Sequence, residues 1–92
     1  MTISEDDLES FEPVRAECTE DELIVTLIKG QKIVTPLWWY PRLMQATSAQ
    51  RAKVELSRYG VHWPDVDEDL SIKGMLVGSK APGARKPDPA TR

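Results

Sequence analysis

The apolar positions of this chain change period twice. From Val14 to Thr19 they alternate, with Val14, Ala16 and Cys18 on one face and Arg15, Glu17 and Thr19 on the other. A period of two with a polar face predicts a half-buried strand. After the polar turn Thr19-Glu20-Asp21-Glu22, the run Leu23 to Ile28 is apolar on both faces. Its β-branched content and short length favour a strand covered on two sides. Lys29-Gly30 supplies the glycine that a tight hairpin requires. Gln31 to Leu37 returns as a third strand and ends at Pro36, which has no ladder donor. Three strands joined by short turns predict an antiparallel meander.

Beyond Pro41 the pattern becomes helical. Proline suits a first helical turn, where its missing N–H is an orphan donor in any case, and Arg42 to Ala46 are expected as a short helix. Thr47 and Gln50 fit a capping box. A longer helix is expected from Ser48 to Tyr59, with Ala49, Ala52, Leu56 and Tyr59 on one stripe and Gly60 as its left-handed C′ residue. Val54 falls on the opposite face, as an exposed apolar residue. His62-Trp63-Pro64 and the acids after it read as an irregular loop. A brief strand near Leu70 to Ile72 and a closing helical turn follow. The expected fold class is α+β: a three-stranded antiparallel meander, then a short helix, a longer helix and a short C-terminal strand or turn.

Composition sets the boundaries. The chain has 92 residues, enough for one domain. Residues 1–11 are acidic and without periodicity, and are expected to be flexible. Residues 78–92 hold three of the seven prolines and no large apolar side chain. Such a segment buries too little to offset its ordering entropy, so it is expected as a disordered basic tail. That leaves 12–77 as the single domain. Net charge is −3 overall, which argues against direct nucleic-acid binding. No apolar run has the roughly 18 residues of a membrane span. The acidic N-terminus is unlike a signal peptide, and the lone Cys18 cannot form an internal disulfide. A cytoplasmic location is expected from these features.

Chemistry-bearing residues are sparse. Asp65, Asp67 and Asp69 have the spacing of the first three ligands of a calcium loop, but Leu70 and Leu76 stand where Gly and a bidentate Glu belong. Turn and cap roles are expected for these acids. A metal-dependent protein or enzyme using His62 and the Asp65–Asp69 loop is the alternative. A Cys18–His62 pair is available in principle, but Cys18 shares the apolar strand face. The five glycines are too dispersed for a phosphate cradle. No catalytic residue, cofactor or metal site is expected. The dense aromatic word Trp38-Trp39-Tyr40-Pro41-Arg42-Leu43 stands out, with Trp63-Pro64 adding a third tryptophan. Consecutive rings in an extended segment cannot all face inward, so Trp38 or Trp39 is expected at the surface. Trp38, Trp39, Arg42 and Val54 are the candidate contacts for a partner. Arg42 is placed to stack on a ring or to pair with Asp67, Glu68 or Asp69. Tyr40, Pro41, Leu43, Thr47, Trp63, Pro64 and the Asp67-Glu68-Asp69 word are expected to serve the scaffold.

The words Gly30, Pro36-Leu37, Trp39-Tyr40-Pro41-Arg42-Leu43, Ala46-Thr47, Arg51 and His62-Trp63-Pro64 through Asp67-Glu68-Asp69-Leu70-Ser71 together resemble the bacterial family known as domain of unknown function 2442, over Val14 to Gly78. The resemblance implies a compact α+β domain with no assigned catalytic residues. Members are often small stand-alone proteins. Some are joined to helix-turn-helix domains, and some are encoded beside toxin-like proteins. It therefore implies an antitoxin-like or regulatory module that binds a protein partner or a second copy of itself. The residues after Val77 are too few for a helix-turn-helix, so a direct transcription-factor role is not expected.

Overall fold

A computed structural model describes residues 11–86. The described residues form a mixed α/β domain of two three-stranded antiparallel sheets and three short helices. The first sheet is the expected meander: β1 (Pro13–Cys18), β2 (Glu22–Leu27) and β3 (Lys32–Pro36), with β2 in the centre. Gly30 makes the β2–β3 turn at φ +91°, a backbone region where a side chain is strained. Leu23, Val25 and Leu27 of β2 are buried on one face, whereas Ile24 and Thr26 are only half-buried on the other. The central strand is thus covered fully on one side, not on two.

Strand β1 departs from simple alternation. Pro13 pairs with Leu27 and Arg15 with Thr26, so one extra residue on β1 bulges out. Val14 is that residue and is exposed, while Pro13, Ala16 and Cys18 keep the inner side. Sequence periodicity places Val14 inside because a bulge is invisible to it.

A single 3-10 turn (Leu37–Trp39) follows Pro36 and leads into helix α1 (Pro41–Met44). The capping box forms as expected: the Gln50 N–H donates to Thr47 Oγ1 at 3.1 Å, and the Thr47 N–H donates to Gln50 Oε1 at 2.9 Å. The helix it opens, α2 (Ser48–Ala52), is much shorter than Ser48–Tyr59. The chain then makes a second sheet from β4 (Glu55–Leu56), β5 (Gly60–Trp63) and β6 (Glu68–Ser71). The alanine-rich stripe offers little apolar area. Continuing instead as strands buries Val61 and Trp63 completely and turns Val54 onto the core, so Val54 is not the exposed residue the helix implied. Leu56 and Tyr59 are left exposed. Gly60 is no C′ residue. A Cβ there would lie 2.6 Å from the Leu70 carbonyl oxygen, so glycine is required for the close approach of β5 to β6. His62 and Trp63 lie in β5 and not in a loop.

Helix α3 (Ile72–Leu76) closes the domain. Ser71 caps it, its Oγ accepting the Gly74 N–H at 2.9 Å. Its C-terminus is a Schellman turn: Gly78 takes φ +78°, its N–H donates to the Met75 carbonyl, and the Ser79 N–H donates to the Gly74 carbonyl. That turn sends the chain back over Trp39. The Ala81 N–H donates to the Trp39 carbonyl at 3.0 Å, and Ala81 packs against the core. Of the segment expected as a tail, residues 78–86 are described, and Gly78 to Ala81 lie against the body. Residues 87–92 fall outside the described residues. So do 1–10 of the expected N-terminal arm, of which only Phe11 is described, packed on the core.

The core sits between the inner faces of the two sheets and the helices. Leu23, Val25 and Leu27 meet Leu37, Tyr40 and Leu43, then Val61, Trp63, Ile72 and Met75. No helix among the described residues is long and apolar enough to cross a membrane.

Candidate functional site

The aromatic word occupies the corner where the first sheet hands over to α1. Tyr40 points inward, is 1% exposed, and donates its hydroxyl to Thr35 Oγ1 at 3.0 Å. Burial raises its pKa above the usual 10.0; the bond to Thr35 opposes this and the Glu68 charge adds to it. Leu43 and Trp63 are fully buried. The Trp63 indole N–H donates to the Arg51 carbonyl at 3.0 Å. These three residues serve the scaffold, with Pro41 at the first position of α1.

Trp38 and Trp39 are each half-buried. Their rings meet edge to face with centroids 6.4 Å apart, and Trp39 meets Tyr40 in the same way at 6.3 Å. The backward-running segment covers part of Trp39: Lys80 Nζ lies 4.8 Å from its ring centroid. Trp38 instead borders an open cleft of about 190 Å³ with Pro41, Met44, Gln45, Gly83 and Arg85. One of the two indoles is expected at the surface, whereas both are half-buried, with Trp38 on the more open side.

Arg42 joins α1 to the acidic turn. Its Nη1 donates to the Asp67 carbonyl oxygen at 2.6 Å and lies 3.9 Å from Asp67 Oδ2. Of its two options, Arg42 pairs with the acids. Asp67 has φ +53°, a conformation that Asp tolerates better than most residues. It closes the turn between β5 and β6, where Trp63 pairs with Glu68. Pro64 opens that turn and is exposed. Asp65 reaches Lys53 Nζ at 3.4 Å.

The acids do not gather at one point. Asp65 turns to Lys53 and Asp67 to Arg42, while Asp69 faces His62 across the strands, with Glu55 on the far side. Even the Glu55–His62–Asp69 row makes no cage. Among the described residues no group of three or more His, Cys, Asp or Glu side chains is placed to hold a metal ion. Cys18 is half-buried, and burial raises its thiol pKa above 9.0, Arg51 opposing. That keeps it protonated and a poor nucleophile.

Glu68 was legible only as one more acid of its word, yet it is the acid that the fold buries. It is 7% exposed, and burial raises its pKa above 4.5, with Arg42 lowering it and Asp67 and Asp69 raising it. Its strand position opposite Trp63 puts it on the inner face, a placement that needs the β5–β6 register and not the sequence alone.

A family model described as "Protein of unknown function (DUF2442)" matches residues 13–81, up to the residue whose N–H bonds Trp39. A crystal structure of a protein of unknown function from Rhodospirillum rubrum is similar to this chain at 28% identity. It has a TM-score of 0.68, and the match covers 80% of this chain and 94% of that one. No curated protein matches the chain significantly.

Proposed function

We propose that this chain, which belongs to the DUF2442 family of proteins of unknown function, is a non-catalytic protein-binding module. The observation that carries the reading is Trp38. A large amphipathic ring stands half-buried at the mouth of a cleft, beside exposed Met44 and Arg85. Trp, Met and Arg are enriched at interfaces, and a preformed pocket beside an aromatic anchor is how binding energy concentrates. Trp39 and Arg42 hold the anchor in place: one meets it edge to face and the other ties α1 to the β5–β6 turn. Val54 packs on the core and drops out of the contact set. The reading extends to an antitoxin-like, cytoplasmic role, in which the partner is a protein encoded beside this one.

The test is co-expression of the full chain with the product of the adjacent gene, followed by light scattering on the purified mixture. A defined complex that Trp38→Ala abolishes, with the circular dichroism of the free chain unchanged, is the expected result. A complex indifferent to Trp38→Ala, or no complex, overturns the reading.

A further inference from the structure

Two buried polar side chains stand in the described core, Thr35 and Glu68. Thr35 is satisfied by Tyr40. Glu68 has no hydrogen-bond or ion-pair partner among the described residues. Burial disfavours the charged carboxylate, as its raised pKa shows, and a donor beside it would offset that cost. Arg42 is engaged with Asp67, and Lys80 lies over Trp39. Among the described residues no sealed side-chain polar atom lacks a partner, so the Glu68 oxygens open onto space. That space is a cleft of about 210 Å³ whose apolar walls are Tyr40, Leu70, Met75, Ala81 and Pro82, with Asp69 and Lys80 also lining it. A second opening of about 150 Å³ reaches Glu68 from the Arg42 side of Ala81 and Pro82.

We propose that this cleft binds an alkylammonium group, with its aliphatic stem on the apolar walls and its charged head on the Glu68 carboxylate. The volume is below the ~300–1,000 Å³ of sites for drug-sized ligands and suits one side chain or a small amine. Apolar walls above an acid match a stem that buries its methylenes and a head that carries charge. An anion is disfavoured because the cleft itself carries two carboxylates, Glu68 and Asp69, against the single ammonium of Lys80, which lies over the Trp39 ring. The ammonium would supply the donors that Glu68 lacks, in a charge-assisted bond. The Schellman turn at Gly78 builds the wall by laying Ser79 to Pro82 across the opening. The inference is separate from the Trp38 face and stands or falls without it.

The experiment is an amide-resolved NMR titration of the full chain with n-butylammonium chloride, against n-butanol and sodium chloride at matched concentration. An acetyl-Gly-Lys-Gly-amide peptide forms a second arm. Saturable shifts centred on Glu68, Leu70, Met75 and Ala81, seen with the amine or the peptide and not with butanol or salt, support the site. Tighter binding of the peptide assigns the ammonium to a protein lysine, and tighter binding of butylammonium to a free amine. Glu68→Gln keeps the shape and removes the charge, and is expected to weaken binding at least tenfold. Trp38→Ala is expected to leave it unchanged, which separates this site from the proposed protein-binding face. Shifts that do not saturate, that butanol reproduces, or that survive Glu68→Gln overturn the proposal.

Discussion

The indole N–H of Trp63 donates to the backbone carbonyl of Arg51 at 3.0 Å, and the Arg51 side chain reaches the other way. Its Nε and Nη2 donate to the carbonyls of Leu43 and Met44, both at 2.8 Å. One residue therefore ties β5 to α2 and, through its guanidinium, satisfies the last carbonyls of α1. The Leu43 carbonyl also accepts the Ala46 N–H at 3.1 Å, so the fork adds to the backbone bonding at this helix end.

A lysine cannot form that fork, because its ammonium is a point charge. Arg51→Lys is expected to destabilise the domain by about 1.5–3 kcal/mol, the range of hydrogen bonds from charged groups. Urea unfolding checks this. The midpoint should fall while the slope stays constant, and an unchanged midpoint would show that the fork contributes nothing.

Gly78 gives a second expectation. Its φ of +78° is strained for any side chain, and Ala there is expected to cost about 1–2 kcal/mol. The distinctive readout is local. Loosening the turn should release Ser79 to Ala81 from Trp39 and speed hydrogen exchange at the Ala81 amide more than at β2. Uniform acceleration across the domain would argue that the turn has no local role.

Glu68 links stability to pH. Its folded-state pKa lies above the ordinary 4.5, first through burial, with Arg42 opposing and Asp67 and Asp69 reinforcing. The unfolded chain therefore releases this proton at lower pH than the folded one. The contribution of Glu68 to stability is complete below 4.5 and is lost as pH rises through the folded value. Subtracting the Glu68→Gln profile from that of wild type isolates the effect from the other carboxylates. The difference should grow against wild type with rising pH above 4.5 and then level. A flat difference would refute the shift.

The buried Tyr40–Thr35 pair should behave as a unit. Tyr40→Phe alone and Thr35→Val alone each strand one hydroxyl, at about 1–3 kcal/mol. The double variant removes both and is expected to cost less than the two single losses combined. A thermodynamic cycle from thermal melts measures the coupling, and strict additivity would show that the bond is not made.

The sequence by itself determined the local devices: the individual strands of the meander from short alternating or apolar runs, the Gly30 turn, the Pro41 start of α1 and the Thr47–Gln50 capping box. Each is encoded within about seven residues, so its physics is local. Tertiary structure alone decided the rest. The stretch from Val54 to Trp63 carries a helical spacing as well as strand formers, and only the core space for Val61 and Trp63 selects the second sheet. Gly60 reads as a helix end until Leu70 is seen pressed against it. The Val14 bulge and the buried Glu68 likewise follow from pairing between strands. Burial is a property of what lies opposite a residue, and no window along the chain contains its partner.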